Sequence, residues 1–419
     1  MRDRTFLILG SIGTVVLILV VIYFIFFRPL EPSITGEEGG PLFGEAGEFG
    51  GVPDEGSTIE LDQQPSVEVA PRLVKITEGP VAHGVGITVR TQQIAAGEIP
   101  TEEGGTSQVF TEQLVPEFRF VERRSGNVYA YTPEDRSITR LSNDTIPGVV
   151  EAVWAPDAST VFLRFLSGTG DSQENLDTYA LPAEGESETA GGFFLEPSLS
   201  DVVVSGSSTV ATLLPSSSGS IATVATLTGA NPRTLFSSPL ALLRLYAAGD
   251  TFMTATYAAS GADGYAFQVT SSGAFERLVG PLRALTILPS PSGRSVLYSY
   301  LSGNAAKAEV LDTATRNSSS LPLAVLPEKC AWAADEKAAY CAVPRTLGKG
   351  WPELWYQGVT HYSDRIWKID LEARLASLVL DPETLAAVQI DAMSLTVDPD
   401  EDYLVFTNRT DGSLWTYDL

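Results

Sequence analysis

Cysteine and histidine are nearly absent from this 419-residue chain, which has two of each: Cys330, Cys341, His83 and His361. Two histidines far apart in sequence argue against a metal site, since zinc centres gather three or four nitrogen and sulfur ligands. No Gly-x-Ser-x-Gly segment occurs, so the nucleophile elbow of the α/β-hydrolases is missing. Positive charge is scarce too: 27 Lys and Arg stand against 52 Asp and Glu, a formal net charge of −25. A chain this acidic is repelled by phosphate backbones, so nucleic acid is not an expected partner. Self-repulsion of this kind favours a soluble, monomeric domain. No catalytic set, metal or cofactor is expected.

Charge is missing altogether from residues 5–27. The apolar run 6–27 is longer than the roughly 20 residues that cross a hydrocarbon core as a helix. Arg2 and Arg4 precede it, Arg28 follows, and the next basic residue is Arg72. The positive-inside rule places residues 1–5 in the cytoplasm and the rest of the chain outside. A cleaved signal peptide has a shorter apolar core, about 7–15 residues, and ends at a small-residue site. Arg28-Pro29-Leu30-Glu31 offers no such site, and no cysteine is near for lipidation. The expectation is an uncleaved signal anchor in the cell membrane. Residues 28–70, rich in Gly, Glu and Pro, form a disordered acidic linker.

From residue 71 onward a strand-turn-strand unit recurs. One copy reads Trp154-Ala155-Pro156-Asp157-Ala158-Ser159-Thr160-Val161-Phe162-Leu163. Equivalent turns fall at Gly206, Gly249, Pro291, Ala334 and Pro399, each followed by a β-rich run. A step of about 40–45 residues is the period of a four-stranded propeller blade. A second element recurs where the third strand of each blade belongs: Asn127-Val128-Tyr129-Ala130-Tyr131, Asp177-Thr178-Tyr179-Ala180-Leu181, Tyr265-Ala266-Phe267-Gln268-Val269, Arg365-Ile366-Trp367-Lys368-Ile369-Asp370 and Ser413-Leu414-Trp415-Thr416-Tyr417-Asp418. These alternate at period two, as half-buried strands do. With the unit around residues 118–141, the marks predict an all-β fold, a seven-bladed β-propeller over residues 71–419. The last blade lacks a fourth strand, and residues 72–76 are predicted to supply it, closing the ring.

These turns resemble the TolB-type, WD40-like propeller repeats, also found in the propeller domains of prolyl-oligopeptidase-type enzymes. Lys329-Cys330-Ala331-Trp332, Tyr340-Cys341-Ala342-Val343-Pro344 and Trp355-Tyr356-Gln357-Gly358 also resemble a single-pass, membrane-anchored propeller family of candidate-phylum bacteria. That resemblance implies an envelope location and no particular activity.

Cys330 faces Cys341 if the hairpin turns between Asp335 and Glu336, which puts the pair within disulfide range. A disulfide is expected in an extracytoplasmic compartment; two small buried apolar side chains are the alternative. Blade six carries surplus residues 345–364, with Trp351, Trp355, Tyr356, His361 and Tyr362. Such rings stack on sugars or anchor partners, or they fold back as a cap. Blades two and four have extended connections at the same topological place, residues 167–176 and 259–264, so that face is the binding candidate. Asp398, Asp400, Glu401 and Asp402 match a blade turn better than a calcium loop. The expected role is non-enzymatic, binding an envelope protein or glycan. The alternative is a glycan-acting hydrolase with paired carboxylates in the channel.

Overall fold

The computed structural model describes residues 71–419 except 101–105, 169–174, 184–190, 207 and 349. The expected membrane span 6–27 and linker 28–70 lie outside the described residues, among which no helix is long and apolar enough to cross a membrane.

Strand β1 is Leu73–Lys75. One sheet then holds β2 (Gly86–Pro100), β3 (Thr106–Val121), β4 (Val128–Thr132) and β5 (Ser137–Arg140). The next holds β6 (Val149–Trp154), β7 (Thr160–Ser167), β8 (Asn175–Pro182) and β9 (Phe193–Phe194). A third comprises β10 (Asp201–Ser205), β11 (Thr209–Ser216), β12 (Gly219–Thr226) and β13 (Arg233–Ser238). A seven-stranded sheet follows: β14 (Leu243–Ala248), β15 (Thr251–Thr256), β16 (Asp263–Val269), β17 (Phe275–Pro289), β18 (Ser295–Ser302), β19 (Ala305–Asp312) and β20 (Ser318–Ser320). Its long β17 pairs with β16 through its first half and with β18 mainly through its second. After a 3-10 turn, Pro327–Lys329, come β21 (Cys330–Trp332), β22 (Ala338–Pro344), β23 (Asp364–Asp370) and β24 (Leu375–Leu380). Helix α1 (Glu353–Tyr356) lies between β22 and β23, and α2 (Pro382–Ala386) follows β24. The last sheet is β25 (Ala392–Val397), β26 (Tyr403–Asn408) and β27 (Leu414–Asp418), completed by β1.

The recurring turn has a common backbone. Across residues 155–159, 290–294, 333–337 and 398–402 the first N–H bonds the carbonyl just beyond the turn, as in Ala155 N to Thr160 O at 2.9 Å. The fourth residue is left-handed each time: Ala158 (φ 54°), Gly293 (73°), Glu336 (59°) and Glu401 (58°). Asp157 and Asp335 accept the N–H two residues on, from Ser159 and Lys337, which is why Asp suits this place. The turns also join neighbours. Glu336 accepts from the N–H and hydroxyl of Ser292 at 2.6 and 2.5 Å, and Glu401 accepts from Lys368 and Tyr340, both at 2.6 Å.

Apolar side chains fill the space between successive sheets. Val121, Val149 and Leu163 join the first two, Phe162, Val202 and Val210 the next pair, and Leu213, Leu243 and Phe252 the third. The series returns to its start: Tyr340, Phe406 and Trp415 cluster between the last two sheets, and Phe118, Tyr131 and Val405 between the last and the first. Inner strands β6, β10 and β14 lie side by side, as do β21 and β25. This is the layering of a β-propeller. The predicted closure is present: β1 pairs antiparallel with β27, Leu73 opposite Tyr417 and Lys75 opposite Trp415. It covers an edge that would otherwise be open to other chains.

The first sheet differs from expectation. Its β2–β3 ladder runs from Gly86 opposite Arg119 to Pro100 opposite Thr106, whereas β4 covers β3 only from Phe118 to Val121. A two-stranded ribbon thus extends well beyond the four-stranded part of the sheet. Val89 and Leu114 are exposed on it, so these apolar positions do not report burial.

Cys330 and Cys341 are opposed on β21 and β22, 4.1 Å apart at Cα, and form a disulfide. The pair packs with Leu297, Ala308 and Ile369. Converting both cysteines to alanine is expected to lower stability by about 3 kcal/mol or less, the entropy of so short a loop. Urea unfolding with and without the crosslink measures this, and an unchanged midpoint would show that it adds nothing.

Candidate functional site

The residues between β22 and β23 form a large departure from the repeat. Pro352 sits at the N-cap of α1, and Gly358 (φ 74°) turns the chain out of it, its N–H bonding Trp355 O at 3.0 Å. So short a helix presents only part of its circumference inward, which buries Trp355 and leaves Tyr356 half-buried. Trp351, Trp355 and Tyr362 are all buried and pack with Ala284 and Leu326. His361 is exposed, its Nδ1 3.6 Å from an Asp391 carboxylate oxygen. The five aromatic and histidine positions are therefore brought together, three of them beneath the surface.

What holds them is a group that the sequence pattern did not single out. Lys329 is fully buried, with Nζ 2.6 Å from Asp364 Oδ2 and 2.5 Å from Asp391 Oδ1. Its ammonium lies 5.2 Å from the ring centres of both Trp355 and Tyr362. Trp355 Nε1–H donates to both Asp391 oxygens at 3.1 Å, and the Arg409 guanidinium covers the Trp355 ring at 4.4 Å. Burial pushes the Asp364 carboxyl up to about 6, although Lys329 pulls the other way. The only trace in sequence is that lysine is rare and one of the six stands beside Cys330.

The insertion leans on the β15–β16 connection, where Ser260 N–H donates to Glu353 Oε1. The β7–β8 connection occupies the same topological place, but its residues 169–174 lie outside the described residues. Between β14, β15 and α1 is a pocket of ≈ 210 Å³, lined by Arg244, Tyr246, Tyr257, Glu328, Glu353, Tyr356 and others. Arg244 pairs with Asp201 at 3.5 Å and stacks on Tyr257, 4.9 Å from the ring centre. Burial raises the Glu328 carboxyl, despite a 2.5 Å hydrogen bond from the Tyr356 hydroxyl. Burial pushes the Glu353 carboxyl up, but the bonds it accepts from Ser260 and from its own backbone together bring it down. A second cavity, ≈ 630 Å³, opens toward the inner strands and is lined by His83, Glu151, Val202, Met393 and Arg409. Arg244, Glu328 and Tyr356 border both. Among the described residues, no group of three His, Cys, Asp or Glu is placed to hold a metal ion.

No family model matches the chain, and no curated protein matches it in sequence. Solved structures do. An oligogalacturonate lyase in complex with manganese aligns over 81% of this chain and 98% of its own, with 10% identity and a TM-score of 0.50. TolB from Acinetobacter baumannii aligns over 70% and 78% respectively, with 11% identity and a TM-score of 0.42. The β-propeller domain of a Myceliophteria thermophila protein aligns over 79% and 100%, with 10% identity and a TM-score of 0.42. At 10% identity the likeness to the lyase is one of fold alone.

Proposed function

We propose that this chain is a single-pass, membrane-anchored, extracytoplasmic β-propeller that acts as a non-enzymatic binding module for a glycan or protein of the cell envelope. The observation that carries the site is the meeting of two connections from one face, β15–β16 and β22–β23, around an aromatic and polar pocket. Tyr257 stands 39% exposed at that pocket and offers a ring to stack on. In this reading Tyr356 forms part of the wall, His361 lies on the exposed side, and Trp351, Trp355 and Tyr362 set the position of the insertion. The anchor and its orientation rest on the charge pattern of residues 1–28. Seven blades fit the sheets if β17 serves two of them and β1 completes the last.

Tyr257→Ala is expected to weaken binding to isolated envelope glycan by about tenfold, the range for an aromatic anchor, with an unchanged unfolding midpoint. Unchanged binding in a folded variant would remove the pocket from consideration.

A second reading draws on the two carboxylates. Environments that move Glu328 up and Glu353 down are what an acid–base pair requires, so a glycan-acting hydrolase is the alternative. Release of reducing ends from envelope glycan by the parent chain, lost in Glu328→Gln, would establish it. Binding without release would support the non-enzymatic reading.

A further inference from the structure

Two carboxylates on the pocket wall each have one oxygen without a partner. Glu328 Oε1 accepts from Tyr356, and Glu353 Oε1 accepts from Ser260, whereas Oε2 of each is buried and unbonded. The basic side chain on the wall, Arg244, is already paired with Asp201 and stacked on Tyr257. A buried acceptor lacking a donor is unfavourable, and a ligand bringing N–H groups removes that penalty. Tyr246, Tyr257 and Tyr356 add ring faces to the same lining, and such faces attract cations. The pocket is thus rich in acceptors and π-electrons and short of positive charge.

We propose that this pocket recognises an amino sugar through its free ammonium group, which bonds the unpartnered oxygens of Glu328 and Glu353 and lies against the tyrosine rings. The inference rests on the pocket reading above and narrows it to one class of glycan. Arg244, Thr256 and Gln357 also line the pocket and suit the hydroxyl groups of a sugar ring. A lysine side chain would bring an ammonium group but nothing for those three to bond, so the sugar is the better fit. Burial of Glu328, which raises its carboxyl, is the condition that an incoming ammonium relieves.

The test is calorimetric titration of the full-length chain in detergent micelles with three oligosaccharides of one linkage: β-1,4-glucosamine, its N-acetylated form and its glucose counterpart. Nα-acetyl-lysine amide is the fourth probe. The glucosamine oligomer is expected to bind at least about tenfold more tightly than the others. Glu353→Gln should erase that preference, and added salt should reduce it. Tyr257→Ala should weaken every sugar, and the glucosamine oligomer most, because its ammonium also loses a ring face. Equal binding of the acetylated or glucose oligomer, still sensitive to Tyr257→Ala, would overturn the ammonium inference and leave the pocket reading standing. Equal binding of the lysine derivative would overturn the sugar assignment in favour of a protein partner. Absence of glucosamine binding up to about 10 mM would overturn the inference.

Discussion

Replacing Lys329 with methionine is expected to destabilise the domain by about 3–5 kcal/mol, because it strands two buried carboxylates. Lys329 precedes β21, Asp364 opens β23 and Asp391 precedes β25, so one ammonium joins segments far apart in sequence. Methionine supplies an apolar stem without the charge, which isolates the electrostatic part of the loss. Denaturant unfolding measures it. A loss under about 1 kcal/mol, typical of exposed pairs, would show that water reaches the cluster. Converting Asp364 and Asp391 to asparagine in the same chain should recover part of the stability, since no buried charge then remains uncompensated.

The deficit should also depend on pH, with a definite sign. Asp364 has its folded value raised from 3.8 to about 6, chiefly by burial. The folded state therefore holds that proton more tightly than the unfolded chain. Its contribution is fully present below the unfolded value and is lost as pH rises through about 6. Removing Lys329 takes away the attraction that pulls the value down, so Asp364 in the variant shifts further upward. Lys329→Met should consequently show a larger deficit at about pH 8 than at about pH 5. Equal deficits would assign the loss to packing rather than charge.

The repeat was legible because every blade must cross the same distance with the same strands, which imposes a period on the chain. The third-strand segments around Tyr129, Tyr179, Phe267, Trp367 and Trp415 all lie in strands β4, β8, β16, β23 and β27. The cysteine pairing followed from hairpin register, since Cys330 and Cys341 share an index sum set by the turn at Asp335 and Glu336. Two things were not legible. The β2–β3 ribbon is held together by strand pairing, and its apolar Val89 and Leu114 are exposed, so neither marks a buried face in the sequence. The Lys329 cluster assembles residues whose types, taken singly, read as surface. Its members are separated by 35 and 27 positions, so nothing local marks them, and only the adjacency of β21 and β25 brings them together. The pocket shares this character: Arg244 and Tyr257 come from one part of the repeat, and Glu328 and Glu353 from another.

Trp355→Ala is expected to lower stability by about 3–5 kcal/mol, the cost of emptying a large buried aromatic site. The ring is 3% exposed and is bounded by Lys329, Arg409 and an edge contact with Tyr356 at 5.5 Å. Its loss also removes the N–H that bonds both Asp391 oxygens. Trp355→Phe separates the two parts: it keeps an aromatic face for the cations but deletes the donor, and should lose about 1–3 kcal/mol. Because Trp355 also borders the inner cavity, binding alone cannot discriminate a ligand contact from a structural support. Stability can. A ligand-contacting ring could be removed with little effect on the unfolding midpoint, as expected for Tyr257, whereas a supporting ring cannot. If Trp355→Ala unfolds at the parent midpoint and loses only ligand affinity, the ring is a contact; if Trp355→Phe retains most of the stability that Trp355→Ala loses, the insertion is held from below by this tryptophan, and recognition falls to the side chains above it.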